Sequence, residues 1–214
     1  MNIIDGILFE PVGCLAEFPS DEFDQIALLL FSGKLKPSQS GSQAYWRSLN
    51  LMQSRTKTLD DSDKKIFEDL EMQAVERATA YEDVVPAVSE LKGMGVKLAI
   101  ASSLSHKAVA RFVERFSLQQ LFAETWDRDN AGGIKAAPLT AAMQSASLKA
   151  EQTMFLTDTG DGLKVAKSVG VNSILMMNDP DEAMRLAAHT PSGGIVSLHE
   201  LPDFIRFIAA ENAR

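Results

Sequence analysis

Ile3-Ile4-Asp5-Gly6-Ile7-Leu8-Phe9-Glu10-Pro11-Val12-Gly13-Cys14-Leu15 opens with an apolar run and closes on a carboxylate and a tight turn. Ile3, Ile4, Ile7, Leu8 and Phe9 suit one buried strand, and Pro11 and Gly13 end it with a fixed and a free φ. Ligands of open parallel sheets sit just outside such carboxyl ends, which makes Glu10 a candidate site residue. By itself the stretch is more readily read as an N-terminal strand stopped by a turn, with Glu10 in solvent. The remainder of the chain bears on the choice.

Residues 16–80 read as helices, with no convincing strand pattern. Ser20 caps a helix that begins with the acids Asp21 and Glu22 and carries Phe23, Ile26, Ala27 and Leu30 on one face. A loop over 34–41 follows, then a helix over 44–56 with Trp46, Leu49 and Met52 inward. A longer helix over 60–80 presents Ile66, Leu70 and Val75. Trp46 fits a pocket wall, but a tryptophan at helical spacing is more often packing. From residue 81 helix and strand alternate, the signature of a parallel sheet with crossover helices. Strands are expected at 96–101, 122–126, 153–157 and 172–177, with an edge strand at 195–197. Helices are expected at 83–92, 105–116, 139–148, 163–169 and 202–210, and a Gly-rich loop carrying Lys135 at 127–138.

Charge narrows the function classes. With 21 Lys and Arg against 29 Asp and Glu the net charge is −8, which argues against nucleic acid and anionic lipid as partners. A local basic pocket for one phosphate is still compatible with that balance. Hydrophobic and charged shares of 45% and 23% are those of a soluble globular chain, and 214 residues hold one large domain or a core with an insertion. The apolar run at 26–31 is too short to span a bilayer. The single cysteine, Cys14, allows no internal disulfide, and the N-terminus lacks the basic start of a signal peptide. A cytoplasmic protein is expected.

Four strand ends present polar groups: Glu10; Ser102 with Ser103; the loop with Lys135; and Asp158 with Asp161. In a parallel sheet these ends share one side. Two acids suit a hard cation such as magnesium, while a lysine and serine hydroxyls suit phosphate. Together they form a phosphoryl-transfer constellation. Each residue alone has a plainer reading. Ser102 fits a strand-end turn, Lys135 a solvated loop, and Asp158 and Asp161 the caps of the next helix. Cys14 fits packing, and His106, His189 and His199 show no metal spacing.

The order of these segments resembles the haloacid dehalogenase superfamily. Leu8 to Leu15 is similar to its first motif, an apolar run followed by D-x-D-G-T-L. Gly95 to Ser103 resembles the strand and second motif, Gly133 to Pro138 the lysine motif, and Phe155 to Gly162 the fourth motif, usually G-D-S/T-x-x-D, followed by Ala166 and Gly170. The resemblance implies an α/β, Rossmann-like parallel-sheet core over residues 1–15 and 81–214, with an inserted helical cap over 16–80. It places Glu10 at the nucleophile and Val12 at the general acid. Ser102 and Ser103 bind phosphate with Lys135. Glu10, the Val12 backbone carbonyl and Asp158 hold magnesium, with Asp161 behind them. A small phosphorylated molecule is the implied ligand.

The departures from that pattern concern chemistry. The family has aspartate at positions 10 and 12, threonine at 14, and its second acid of the fourth motif at 162; this chain has Glu10, Val12, Cys14 and Gly162, with Asp161 one residue early. One extra methylene moves a carboxylate by about 1.5 Å, and a misplacement near 1 Å costs on the order of a hundredfold in rate. Valine transfers no proton, and general acid catalysis supplies typically about 10²–10⁴-fold. The leading expectation is an impaired or inactive member that keeps a phosphate and magnesium pocket for ligand or partner binding. A working magnesium-dependent phosphomonoesterase ranks second. A dehalogenase, the branch that tolerates a non-acid at position 12, ranks third.

Overall fold

The computed structural model describes residues 3–30, 35–54 and 59–212. The ends of three expected segments, at Phe31, Lys34 and Thr56, lie outside the described residues. In chain order, β1 (Gly6–Phe9) is followed by β2 (Ala16–Glu17), α1 (Asp21–Leu30), α2 (Gly41–Ser54), α3 (Asp61–Arg77) and β3 (Thr79–Ala80). Helix and strand then alternate through α4 (Val84–Gly93), β4 (Lys97–Ala101), α5 (His106–Arg115), β5 (Glu124–Trp126), α6 (Ala136–Ser145) and β6 (Thr153–Thr157). The chain closes with α7 (Gly160–Val169), β7 (Asn172–Met176), α8 (Pro180–Leu186), β8 (Gly193–Ile195) and α9 (Glu200–Asn212).

Six strands form one sheet in the order β5-β4-β1-β6-β7-β8, every pair parallel. All four residues of β1 are buried, as a central strand covered on both faces requires. Phe9 stands level with Ile100 on one side and Leu156 on the other. The chain therefore leaves the three central strands at neighbouring points, with Glu10, Ser102 and Asp158 just beyond. Connections run outward from β1 to both sides, and such a switch point is where open α/β sheets hold ligands.

The α/β reading stands, and local expectations shift for physical reasons. Residues 16–80 are not helical throughout: β2 and β3 pair antiparallel, Ala16 with Ala80 and Glu17 with Thr79, closing the helical insertion at its base. Two-residue strands carry no alternation to read. Helix α6 begins at Ala136 rather than 139, because Pro138 sits in the first turn, where its missing N–H leaves no bond unmade. Helix α7 begins at Gly160, capped by Thr159, whose side chain accepts from the Gly162 N–H, so neither Asp158 nor Asp161 is its cap. Helix α8, absent from the sequence reading, starts with Asp179 as cap and Pro180 behind it. The edge strand lies at Gly193–Ile195, two residues early. In α3 the buried stripe runs through Phe67, Leu70 and Ala74, which leaves Ile66 exposed.

One hydrophobic core joins sheet and insertion, with Phe9, Phe155 and Ile100 in the same cluster as Phe23, Tyr45 and Phe67. Phe18 stacks on Phe112 of α5, centroids 5.8 Å apart. No described helix is long and apolar enough to cross a membrane.

Candidate active site

Glu10 follows β1 directly and is 2% exposed. Ser102 Oγ donates to its Oε1 at 2.7 Å, and the Tyr45 hydroxyl donates to Oε2 at 3.3 Å. Burial pushes the carboxyl up to about 8; bonds from Ser102, the Val12 N–H and Tyr45 pull it down, and the charge of Asp158 pushes it up again. Desolvation dominates, so Glu10 is mostly protonated at neutral pH. Val12, at 0% exposure, packs in the core beside it.

The turn after β4 points two groups at the same spot. Ser103 N–H donates to the Tyr45 hydroxyl at 2.8 Å, and Ser102 Oγ lies 3.2 Å from that oxygen. Ser102 Oγ also accepts from the Leu104 N–H at 3.3 Å, and Ser103 Oγ from the Lys135 N–H at 2.6 Å. Tyr45 is the site residue that sequence reasoning passed over in favour of its neighbour. Trp46 is buried and edge-on to Tyr45, centroids 5.9 Å apart, with its indole N–H unpartnered. The missed signal was a hydroxyl-tipped aromatic four residues before Leu49, on the inward face of α2.

Lys135 and Asp161 do not reach Glu10. Lys135 has φ +62°, uncommon for a residue with a side chain, and its ammonium donates to Asn50 Oδ1 at 2.5 Å and Gln53 Oε1 at 2.6 Å. Asp161 accepts from Asn50 Nδ2 at 2.8 Å and Lys164 Nζ at 3.1 Å. Both side chains thus hold the exposed end of α2. Asp158 does belong to the centre. Gly13, at φ +78°, brings the first turn so close that an added Cβ would stand 2.0 Å from Asp158 Oδ2 and 2.1 Å from Ser42 Oγ. Burial pushes Asp158 up to about 7 against hydrogen bonds from Ser42, its own N–H and Asn178 that lower it. Its Oδ1 is buried and has no partner.

Residues 23–176 match the family model for haloacid dehalogenase-like hydrolases. The chain belongs to that family. Enolase-phosphatase E1 of Gluconobacter oxydans (strain 621H) is 27% identical over 140 residues, 64% of this chain and 60% of that protein, so the chain spans about three fifths of its length. Among solved structures, a predicted phosphatase from Clostridium acetobutylicum superposes with a TM-score of 0.72 at 16% identity, over 95% of this chain and 99% of that one. L-2-haloacid dehalogenase from Xanthobacter autotrophicus gives 0.63 at 14% identity, over 95% and 98%. At these identities the likeness is one of fold.

In this haloacid dehalogenase-like hydrolase Gly162 is packed against the strand before it. A Cβ there would lie 1.9 Å from Thr157 Oγ1, so Thr157 leaves no room for a side chain at 162. Magnesium is the metal implied by the family pattern. Among the described residues no group of three or more His, Cys, Asp or Glu side chains is arranged to hold a metal. Toward a hard cation the donor set observed is the buried, unpartnered Asp158 Oδ1, since both oxygens of Glu10 are taken by Ser102 and Tyr45. Asp161, bonded to Asn50 and Lys164, lies outside it. Millimolar magnesium is expected to raise the thermal midpoint of the wild type by about 2–4 °C for each kcal/mol by which bound metal stabilises the fold at that concentration. Scanning calorimetry of wild type and Asp158→Ala checks this, since an equal shift in both would remove Asp158 from the metal site.

Proposed function

We propose that this chain is a hydrolase-family member with impaired chemistry, whose site binds a small phosphorylated molecule rather than turning it over. The observation that carries the reading is the state of Glu10. Burial holds its carboxyl near 8, and both of its oxygens are engaged, by Ser102 and Tyr45. A protonated carboxyl is not a nucleophile at neutral pH. Nothing at position 12 transfers a proton, and the Lys135 ammonium is spent on Asn50 and Gln53. Each of these supports loss of turnover. The Ser102–Ser103 turn and Asp158 support retained binding, and the phosphatases among the similar proteins support a phosphorylated ligand. Asp158 and the carbonyl of Val12 would hold magnesium, which when bound offsets the phosphate's charge, while Glu10, protonated and bonded through both oxygens, would stay out of the metal's shell; Ser102 and Ser103 orient the phosphate.

An assay of p-nitrophenyl phosphate hydrolysis with magnesium tests the reading. Wild type is expected to give no turnover above the uncatalysed blank. Robust wild-type turnover that Glu10→Gln abolishes would overturn the proposal in favour of a working phosphomonoesterase. Chloride release from a 2-haloacid, indifferent to chelator, would overturn it in favour of a dehalogenase.

A further inference from the structure

The turn that presents Ser102 and Ser103 is held from behind by a buried ion pair. Glu71 of α3 is 3% exposed, and the Arg128 side chain, on the loop after β5, is 12% exposed. Arg128 Nη1 donates to Glu71 Oε1 and, at 3.3 Å, to the Ser103 carbonyl. The Arg128 N–H donates to the Leu104 carbonyl at 3.1 Å, and Glu71 Oε2 accepts the Ser105 N–H at 3.1 Å. Two residues distant in sequence thus fix the backbone of Ser103, Leu104 and Ser105 in turn.

The front of the same turn faces Glu10. Ser102 Oγ accepts the Leu104 N–H at 3.3 Å and donates to Glu10 at 2.7 Å. The Ser103 carbonyl and the Leu104 N–H belong to one peptide unit, so a guanidinium on that oxygen strengthens the N–H that orients Ser102. Ser103 Oγ is held by the Lys135 N–H at 2.6 Å, and the loop supplying it is tied back by the Gly133 N–H, which donates to the Arg128 carbonyl at 2.9 Å. Stability alone does not account for such a pair. Desolvation offsets much of the attraction between buried charges, and apolar residues of similar volume often hold a fold equally well. Apolar residues cannot, however, bond Ser103 and Ser105.

We propose that Glu71 and Arg128 are positioning residues for the phosphate turn: the pair sets where the Ser102 and Ser103 hydroxyls stand, and through them the affinity for a phosphate's oxygens. This rests on the reading of that turn as a phosphate site, and it adds that the insertion contributes to the site from behind, through α3.

Titration calorimetry of the full chain with inorganic phosphate at neutral pH, with a thermal melt of each variant, tests the pair. Glu71→Met with Arg128→Met removes both charges together. It is expected to melt near the wild type yet bind phosphate about tenfold more weakly, the effect of one or two hydrogen bonds lost from the turn. Arg128→Lys keeps the charge against Glu71, but its ammonium ends short of the Ser103 carbonyl, and a similar loss at a near-unchanged midpoint is expected. If the double variant fails to fold, Arg128→Lys decides alone. A folded variant of either kind that binds phosphate as tightly as the wild type would overturn the positioning role and leave the phosphate site standing. A wild type that binds no phosphate would overturn the site itself, and the positioning role with it.

Discussion

The paired substitution Glu10→Asp with Val12→Asp is expected to raise phosphomonoester turnover at least about a hundredfold over the wild type. Shortening the side chain at 10 withdraws the carboxylate by about one C–C bond and breaks its reach to the Tyr45 hydroxyl, which is already long at 3.3 Å. An acid at 12 supplies the proton that the leaving oxygen needs. Neither change alone does both, so each single variant is expected to stay near the blank. Glu10→Asp with Val12→Asn is the decisive control, because asparagine brings polarity and volume to position 12 without a transferable proton. Recovery is expected to remain partial, since Lys135 still faces Asn50 and Gln53 and Gly162 still lacks a carboxylate. Val12 is fully buried, so a thermal melt must accompany the assay. A folded double variant with magnesium and no rise in rate would mean that positions 10 and 12 are not where turnover was lost.

That experiment depends on Glu10, Ser102 and Asp158 lying together, which was legible in the chain because strand period and parallel topology are local and strong. Apolar runs bounded by turn residues mark the strands, and any polar residue just past a central strand of a parallel sheet falls on the ligand side. The destinations of long side chains were not legible. Lys135 and Asp161 sit on the expected elements yet bond to α2, because a lysine reaches several ångströms from its Cα and its partner is chosen by the packing of an insertion distant in sequence. Tyr45 was hidden for the same reason. On a helix of unknown docking, a tyrosine beside a tryptophan reads as core, and core it is, except for its last atom. The short ribbon of β2 and β3 has no pattern of its own, and α8 required reading Asp179-Pro180 as a helix start.

Stability is expected to fall as pH rises from about 5 to about 8, and Glu10→Gln is expected to remove a large part of that fall. Glu10 is raised from 4.5 to about 8, by desolvation first, and Asp158 from 3.8 to about 7 for the same leading reason. A carboxyl whose folded value exceeds its unfolded one binds its proton more tightly when folded. Its contribution is complete below the unfolded value and is lost as pH climbs through the folded one. Each such proton changes stability by about 1.4 kcal/mol per pH unit inside that window, so Glu10 alone accounts for roughly 3–5 kcal/mol between its two limits. Glutamine keeps the shape and cannot ionise. The variant is therefore expected to match wild type near pH 5 and to exceed it near pH 8.5, where the wild type buries an ionised Glu10 beside Asp158. Urea unfolding across this range measures the difference directly. A variant less stable than wild type at pH 8.5, with an unchanged slope below it, would show that Glu10 ionises without penalty. The inference that it rests protonated, and with it the account of lost nucleophilicity, would then fail.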